Sequence, residues 1–369
     1  MSSPTNNAAF FTAKRAPLVV KASTYTPPGE NEIVVKNAAL AINPFDWILQ
    51  DAYNLVNPNM KLPSILGTDV AGEVYDVGKG VTRFQKGDRV VAHAMGVAKL
   101  SAKTSEGGFQ EYTVIREHMA SSIPSNMSYE TASVMPLGLS TAACAMYMKD
   151  FLGLPLPQHS PKPTGTTILI WGGSTSVGCN AIQLAVASGI RVISTSSPKN
   201  FDYLKKLGAS HVFDYNSKSV VADIVKAFDG QPSAGAISIG RGSVGKCMEV
   251  LSQVKGNKFI AQATMDLPPF PKGGLDMVPF LFSFLSLSIS TKIQKTVKGV
   301  QIKFINGDDL VANEVGPAIY KDFLPKALQD QTFVPAPKAR VVGKGLEFLQ
   351  QGMDLNRKGV SAEKIVVTL

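Results

Sequence analysis

Between two β-favouring runs, TILIW at 167–171 and RVISTSS at 191–197, the chain reads GGSTSVG, with Gly173, Thr175 and Gly178 on the spaced positions of a G-x-G-x-x-G turn. Such a turn brings backbone N–H groups up to a pyrophosphate at the N-terminus of the helix that follows. The middle position is threonine. Ser174, Thr175 and Ser176 supply hydroxyls able to donate to phosphate, and Val177 and Gly178 open the helix, where Gly178 permits close packing. A glycine pattern alone is weak, but a strand before it and a helix and second strand after it identify a dinucleotide site. The end of the second strand then selects the coenzyme. An NAD site carries Asp or Glu about 20 residues beyond the glycines, whereas STSSPKN has no carboxylate. Ser196, Ser197 and Lys199 suit a 2′-phosphate instead, with Tyr203 one helical turn further on to cover it. The expected coenzyme is NADPH.

The elements around this turn alternate. Strand-like runs at 167–172, 191–195, 211–213 and 236–239 are separated by helix-like runs at 177–188, 200–207 and 220–228, the pattern of a parallel sheet with helices on both faces. The first third of the chain is different: short β-favouring runs at 8–21 and 31–40 are followed by Gly67, Gly72, Gly78, Gly80, Gly87 and Gly107, a rhythm expected of tight turns. Tyr129–Lys149 reads as helical, interrupted at Pro136, and Pro155, Pro157, Pro161 and Pro163 mark a loop. At the end, Gly345–Asn356 reads as an amphipathic helix and IVVTL, 365–369, as a closing strand that fits the β-rich part. A chain that leaves its first domain and returns to it is therefore expected.

At 369 residues two cores are expected. The net charge of +9 comes from 37 Lys and Arg scattered without a basic stripe, so no nucleic-acid partner is read. Cys144, Cys179 and Cys247 are odd in number and far apart, which suggests a reducing compartment and a cytoplasmic location. No secretory signal is read, and Met277–Ser290, MVPFLFSFLSLSIS, is too short for a transmembrane segment. Phe280, Phe282 and Phe284 within it alternate as on a strand, at a pocket wall or a subunit edge.

The segments VAGEVYDVGKGVTRFQKGDRV (70–90), EGGFQEYTVI (106–115), MPLGLSTAA (135–143), the glycine turn and GVSAEKIVVTL (359–369) together resemble the medium-chain dehydrogenase/reductase superfamily. The similarity is to its zinc-independent quinone and enoyl reductase branch, with the fungal trans-acting enoyl reductases and CipB-like oxidoreductases. The resemblance implies an α/β fold class with a Rossmann-type doubly wound coenzyme domain (141–314) inserted into a β-rich GroES-like catalytic domain (1–140 and 315–369). It also implies hydride transfer. AINPFDW at 41–47 resembles the family's A-x-N-P-x-D motif, which sets Asn43 to bond ribose or a substrate carbonyl and Asp46 to orient a donor or maintain its loop. Thr141 matches a threonine that meets coenzyme or substrate, and Tyr53 is a candidate proton donor or an aromatic wall.

Zinc-dependent relatives carry Cys, His-Glu and Cys where this chain has Asn43, Thr68, Asp69 and Leu137, so no metal is expected. His93 reads as an ordinary cleft or core residue. Without a Lewis acid, an isolated carbonyl is the harder acceptor and a conjugated alkene the easier one. The expected activity is NADPH-dependent reduction of an enone, enoyl thioester or quinone-like acceptor, with a polyketide synthase as implied partner and a monomer or homodimer as assembly. The alternatives are a quinone or carbonyl reductase and a non-catalytic coenzyme-binding scaffold.

Overall fold

The computed structural model describes residues 4–369 except 102, 266–269, 272–273, 277, 283 and 286–295. The chain forms two compact units, Met1–Ser140 with Asp308–Leu369, and Thr141–Gly307. The return to the first unit falls at Asp308 where the sequence reading set 315, because the turn Gly307–Ala312 already bonds into the first unit: His118 Nε2 lies 3.0 Å from the Val311 carbonyl.

The second unit holds six parallel strands in the spatial order His211–Asp214, Arg191–Ser196, Thr167–Trp171, Ser233–Ser238, Phe259–Gln262, Gln301–Phe304. In chain order this is 3-2-1-4-5-6, the doubly wound arrangement whose direction reverses beside its first strand. The central strands Thr167–Trp171 and Ser233–Ser238 are buried along their whole length, as a sheet covered by helices requires. Leu169, Ile193, Ala236 and Ile260 pack with Ile224 and the C-cap Phe228 of the helix Val220–Ala227 and with Val244 and Met248 of the helix Ser243–Leu251.

In the first unit a seven-stranded sheet runs along Lys338–Lys344, Glu363–Thr368, Glu32–Ala41, Asp69–Val77, Arg89–His93 and Ala120–Ser122, with Tyr112–Arg116 also pairing Glu32–Ala41. The closing strand lies antiparallel to Glu32–Ala41, with Val366 opposite Ala41, so the C-terminal end completes the sheet begun near the N-terminus. Phe11, Leu40, Leu49, Phe109, Met353 and Ile365 fill the core beneath it.

Three local expectations change. Pro136 does not interrupt a helix; it opens the helix Pro136–Tyr147 after the short helix Tyr129–Ala132, since a first-turn proline lacks only an N–H that would have no partner. Residues 278–282 and 284–285 are helical, so Phe280, Phe282 and Phe284 do not alternate on a strand, and Leu/Phe runs without turn residues suit either element. Met277, Ser283 and the remainder of that run, 286–290, lie outside the described residues. Gly72 is not at a turn either. It sits within the strand Asp69–Val77 opposite Asn37, where a Cβ would fall 2.1 Å from the Lys36 carbonyl oxygen. Gly72→Ala is therefore expected to destabilise the protein by about 2 kcal/mol, the cost of overpacking against backbone. Urea denaturation reads this, and a loss under about 0.5 kcal/mol would contradict the close approach.

Candidate active site

At the coenzyme turn, the strand Thr167–Trp171 ends at Gly172, whose φ of +87° starts a sharp reversal. Gly172 N–H donates to Thr195 Oγ1 at 3.0 Å and Gly173 N–H to the Thr195 carbonyl at 2.9 Å, so the second strand clasps the turn. A Cβ on Gly173 would meet Ser194 Oγ at 2.1 Å, and one on Gly178 the Gly172 carbonyl oxygen at 2.4 Å. Both glycines are thus required by packing of the turn itself. The helix Ser176–Ala187 follows, and its first-turn N–H groups lack intrahelical partners, which is the arrangement that receives an anion. A dinucleotide phosphate fits this turn.

Thr175 explains the missing middle glycine. It is the N-cap: its Oγ1 accepts from Gly178 N–H at 3.0 Å and donates to the Gly172 carbonyl at 2.8 Å. The hydroxyl proton expected to serve phosphate is used within the turn. Ser196 is buried and donates to the Ser197 carbonyl at 3.0 Å, and Ser197 receives Asn200 Nδ2 at 3.3 Å. Lys199 is exposed in the turn Pro198–Asn200. Tyr203, one helical turn further on, is half-buried. Its hydroxyl accepts from Cys179 Sγ at 3.7 Å, and burial pushes the Tyr203 hydroxyl far up and the Cys179 thiol up to about 12.

In the first unit, Asn43 ends the strand-to-helix corner before the helix Pro44–Val56. Asp46, in that helix's first turn, accepts from the backbone N–H of Asn43 at 2.7 Å and of Gly67 at 3.2 Å. It is fully buried, which raises its carboxyl to about 7 against the opposing pull of these bonds. Asp46 therefore maintains the loop. The Asn43 side chain is occupied as well: Nδ2 donates to Thr68 Oγ1 at 3.0 Å and Oδ1 accepts from Lys364 Nζ. Lys364 Nζ also lies 2.9 Å from Asp69 Oδ2, while Asp69 Oδ1 accepts from Thr68 Oγ1 and from Leu137 N–H at 2.7 Å. Tyr53 packs its ring edge-on against Phe11, centroids 5.5 Å apart, the aromatic-wall arrangement. Thr141 is half-buried on the helix Pro136–Tyr147 and is the first residue of the coenzyme unit.

Sequence reasoning missed Lys364. The one available signal was a lysine entering an otherwise apolar closing strand, KIVVT, where a charge has no reason to be unless it is paired.

Residues 29–125 match the family described as Alcohol dehydrogenase GroES-like domain, and 176–253 the family described as Zinc-binding dehydrogenase. Dehydrogenase pigH of Monascus ruber is 51% identical over 368 residues, covering 99% of this chain and all of that one. Trans-enoyl reductase himH of Aspergillus japonicus is 39% identical over 342 residues, covering 92% and 90%. Among solved structures, the CurK enoyl reductase superposes with a TM-score of 0.72 at 16% identity, covering 98% and 99%. The chain belongs to the medium-chain dehydrogenase/reductase superfamily. Within it, the chain stands in the zinc-independent quinone and enoyl reductase branch.

One matched family is named for zinc, and the residues here do not fit that ion. Where zinc-dependent members place donors, this chain sets an amide, a hydroxyl and a leucine, with the Lys364 ammonium against the one carboxylate, Asp69. A second cation would be repelled there. Among the described residues no group of three or more His, Cys, Asp or Glu is placed to hold a metal ion.

The pairing of Lys364 with Asp69 carries a stability prediction. Lys364→Met leaves a buried carboxylate without its cation and is expected to cost about 3–5 kcal/mol. Adding Asp69→Asn, which keeps the acceptor for Leu137 N–H and removes the charge, should recover most of that loss. Denaturation of both variants measures it, and additive losses would show that the two groups do not act as a pair.

Proposed function

We propose that the protein is an NADPH-dependent reductase of an activated carbon–carbon double bond, in an enone or an enoyl thioester. The observation that carries the reading is the replacement of the metal-donor set by the Asn43, Thr68, Asp69 and Lys364 network in a chain that keeps the dinucleotide turn. NADPH, when bound, supplies a hydride. The chain's own part is to hold the coenzyme, orient the acceptor and stabilise charge on its carbonyl. Gly173 and Gly178 keep the turn tight, Ser174, Ser176 and Val177 are assigned to the pyrophosphate, and Ser197 and Lys199 to the 2′-phosphate, with Ser196 beneath them holding the Ser197 carbonyl. Asn43 is assigned to the surroundings of the acceptor, as the resemblance implies. Asn43 keeps a second Nδ2 proton beyond its bond to Thr68, so it can donate to a carbonyl oxygen.

A fixed donor favours the alkene. Hydride added to the β-carbon moves charge to the conjugated oxygen, where hydrogen bonds hold it, and the α-carbon then takes a proton. The relative named a trans-enoyl reductase supports an enoyl acceptor. A polyketide synthase that presents the acyl chain as a thioester belongs to the same proposal.

NADPH is expected to bind more tightly than NADH, and Lys199→Ala to weaken NADPH about tenfold, about 1.4 kcal/mol for a partly exposed charged contact, with little effect on NADH. Fluorescence titration at fixed salt reads all four dissociation constants, and equal affinity of the wild type for both coenzymes would remove the 2′-phosphate assignment.

Deuteride from the nicotinamide is expected at the β-carbon of the product and solvent deuterium at the α-carbon, read by NMR. Label confined to a carbonyl carbon, with an allylic alcohol as product, would establish a carbonyl reductase. Turnover of quinones alone would establish a quinone reductase, and binding of NADPH with no acceptor reduced a coenzyme-binding scaffold.

A further inference from the structure

His93 ends the strand Arg89–His93, opposite Asp69 of the buried cluster, and is wholly enclosed. Its Nδ1 lies 2.9 Å from Ser140 Oγ, Ser140 Oγ lies 2.8 Å from the Tyr320 hydroxyl, and that hydroxyl lies 3.0 Å from the Pro136 carbonyl. A carbonyl only accepts, and this orders every proton in the chain. Tyr320 donates to Pro136, Ser140 donates to Tyr320, and His93 donates its Nδ1–H to Ser140. Nε2 is left as a bare lone pair. Among the described residues it has no hydrogen-bond partner, and it faces Asp308 Oδ1 at 3.7 Å.

An ionised Asp308 would set two acceptors against each other in a dry interior. One proton on either group removes the conflict. Burial acts in the same direction, raising the Asp308 carboxyl to about 6, helped by Asp309 and opposed by Lys99. His93 is pushed down to about 4 by burial first, with Asp69 raising it and Lys364 lowering it, so the imidazole is neutral.

We propose that Asp308 and His93 hold one proton between them, and that this pair is the source of the proton that reaches the α-carbon after hydride addition. The second half rests on the reductase reading above. Its position supports it: His93 is the cross-strand neighbour of Asp69 in the Asn43 cluster, and its hydrogen-bond chain runs through Ser140, the residue before Thr141. The step balances. Hydride brings two electrons and forms the β-carbon C–H bond as the π bond breaks. The resulting enolate takes the pair's proton at its α-carbon, and the pair recovers a proton from solvent through Asp308, which keeps 6% exposure where His93 has none.

Two measurements decide the two halves. In 15N-resolved NMR of the free protein, His93 is expected to carry its proton on Nδ1. Tyr320→Phe should free Ser140 to donate to Nδ1 and move the imidazole proton to Nε2. An Nε2–H tautomer in the wild type overturns the shared proton, whatever the enzyme reduces. For delivery, the pair must be protonated, so kcat should be full on the acid side and fall as pH rises through the pair's value. Asp308→Asn keeps the shape but has no proton to give. It is expected to lower kcat about a hundredfold, to flatten that limb and to enlarge the solvent deuterium isotope effect, with NADPH affinity unchanged. A wild-type pH profile and isotope effect in this variant overturn delivery. If no enone or enoyl thioester is reduced by the wild type at any pH, the reductase reading fails and delivery with it, while the NMR result still decides the shared proton.

Discussion

A buried ammonium organises the first unit. Lys364 comes from the closing strand Glu363–Thr368, and its partners Asp69 and Asn43 come from the opening of another strand and from the corner before the first helix. Removing a charge from water is unfavourable unless partners surround it. The partners here are far apart in sequence, so the cost of burying Lys364 is offset only when the last strand has joined the sheet. The coenzyme unit leaves the chain after Ser140 and returns it at Asp308, between the two halves that supply this pair. Completion of the β-rich unit and placement of Asn43 are therefore one event.

The coenzyme turn rests on a different principle, steric exclusion. Gly173 and Gly178 are held to glycine by Ser194 and by the turn's own backbone, while Thr175 is free to carry a side chain because its hydroxyl closes the helix end from outside. The departure from the glycine fingerprint is thus a capping residue and leaves the anion-binding end of the helix intact.

Periodicity made the parallel sheet, its order of strands and helices, and the return of the C-terminal strand legible in the sequence, because each is a repeated pattern over many residues. The glycine turn was legible for the same reason. What escaped was set by contacts between distant segments. Gly72 read as a turn because sequence cannot show that the Lys36 carbonyl passes beside it. Helical spacing likewise fixes the turn on which Tyr203 stands but not that its hydroxyl accepts from Cys179 Sγ. Lys364, Asp308 and Tyr320 were invisible as site residues, since each gains meaning only from a partner more than a hundred positions away.

The charges left inside this unit suit a reaction that develops negative charge. A carboxylate directed at an enolate would oppose it. Burial changes that balance by raising Asp46 to about 7, so that near neutrality it spends much of its time uncharged while still accepting from Asn43 and Gly67. Asp69 is compensated by Lys364, and His93 is held neutral. The interior around Asn43 therefore carries close to no net charge, and a hydrogen bond from the Asn43 amide acts there without the screening of water. Such an interior can hold the charge of a conjugated oxygen with neutral donors, where zinc-dependent members of the superfamily use an ion.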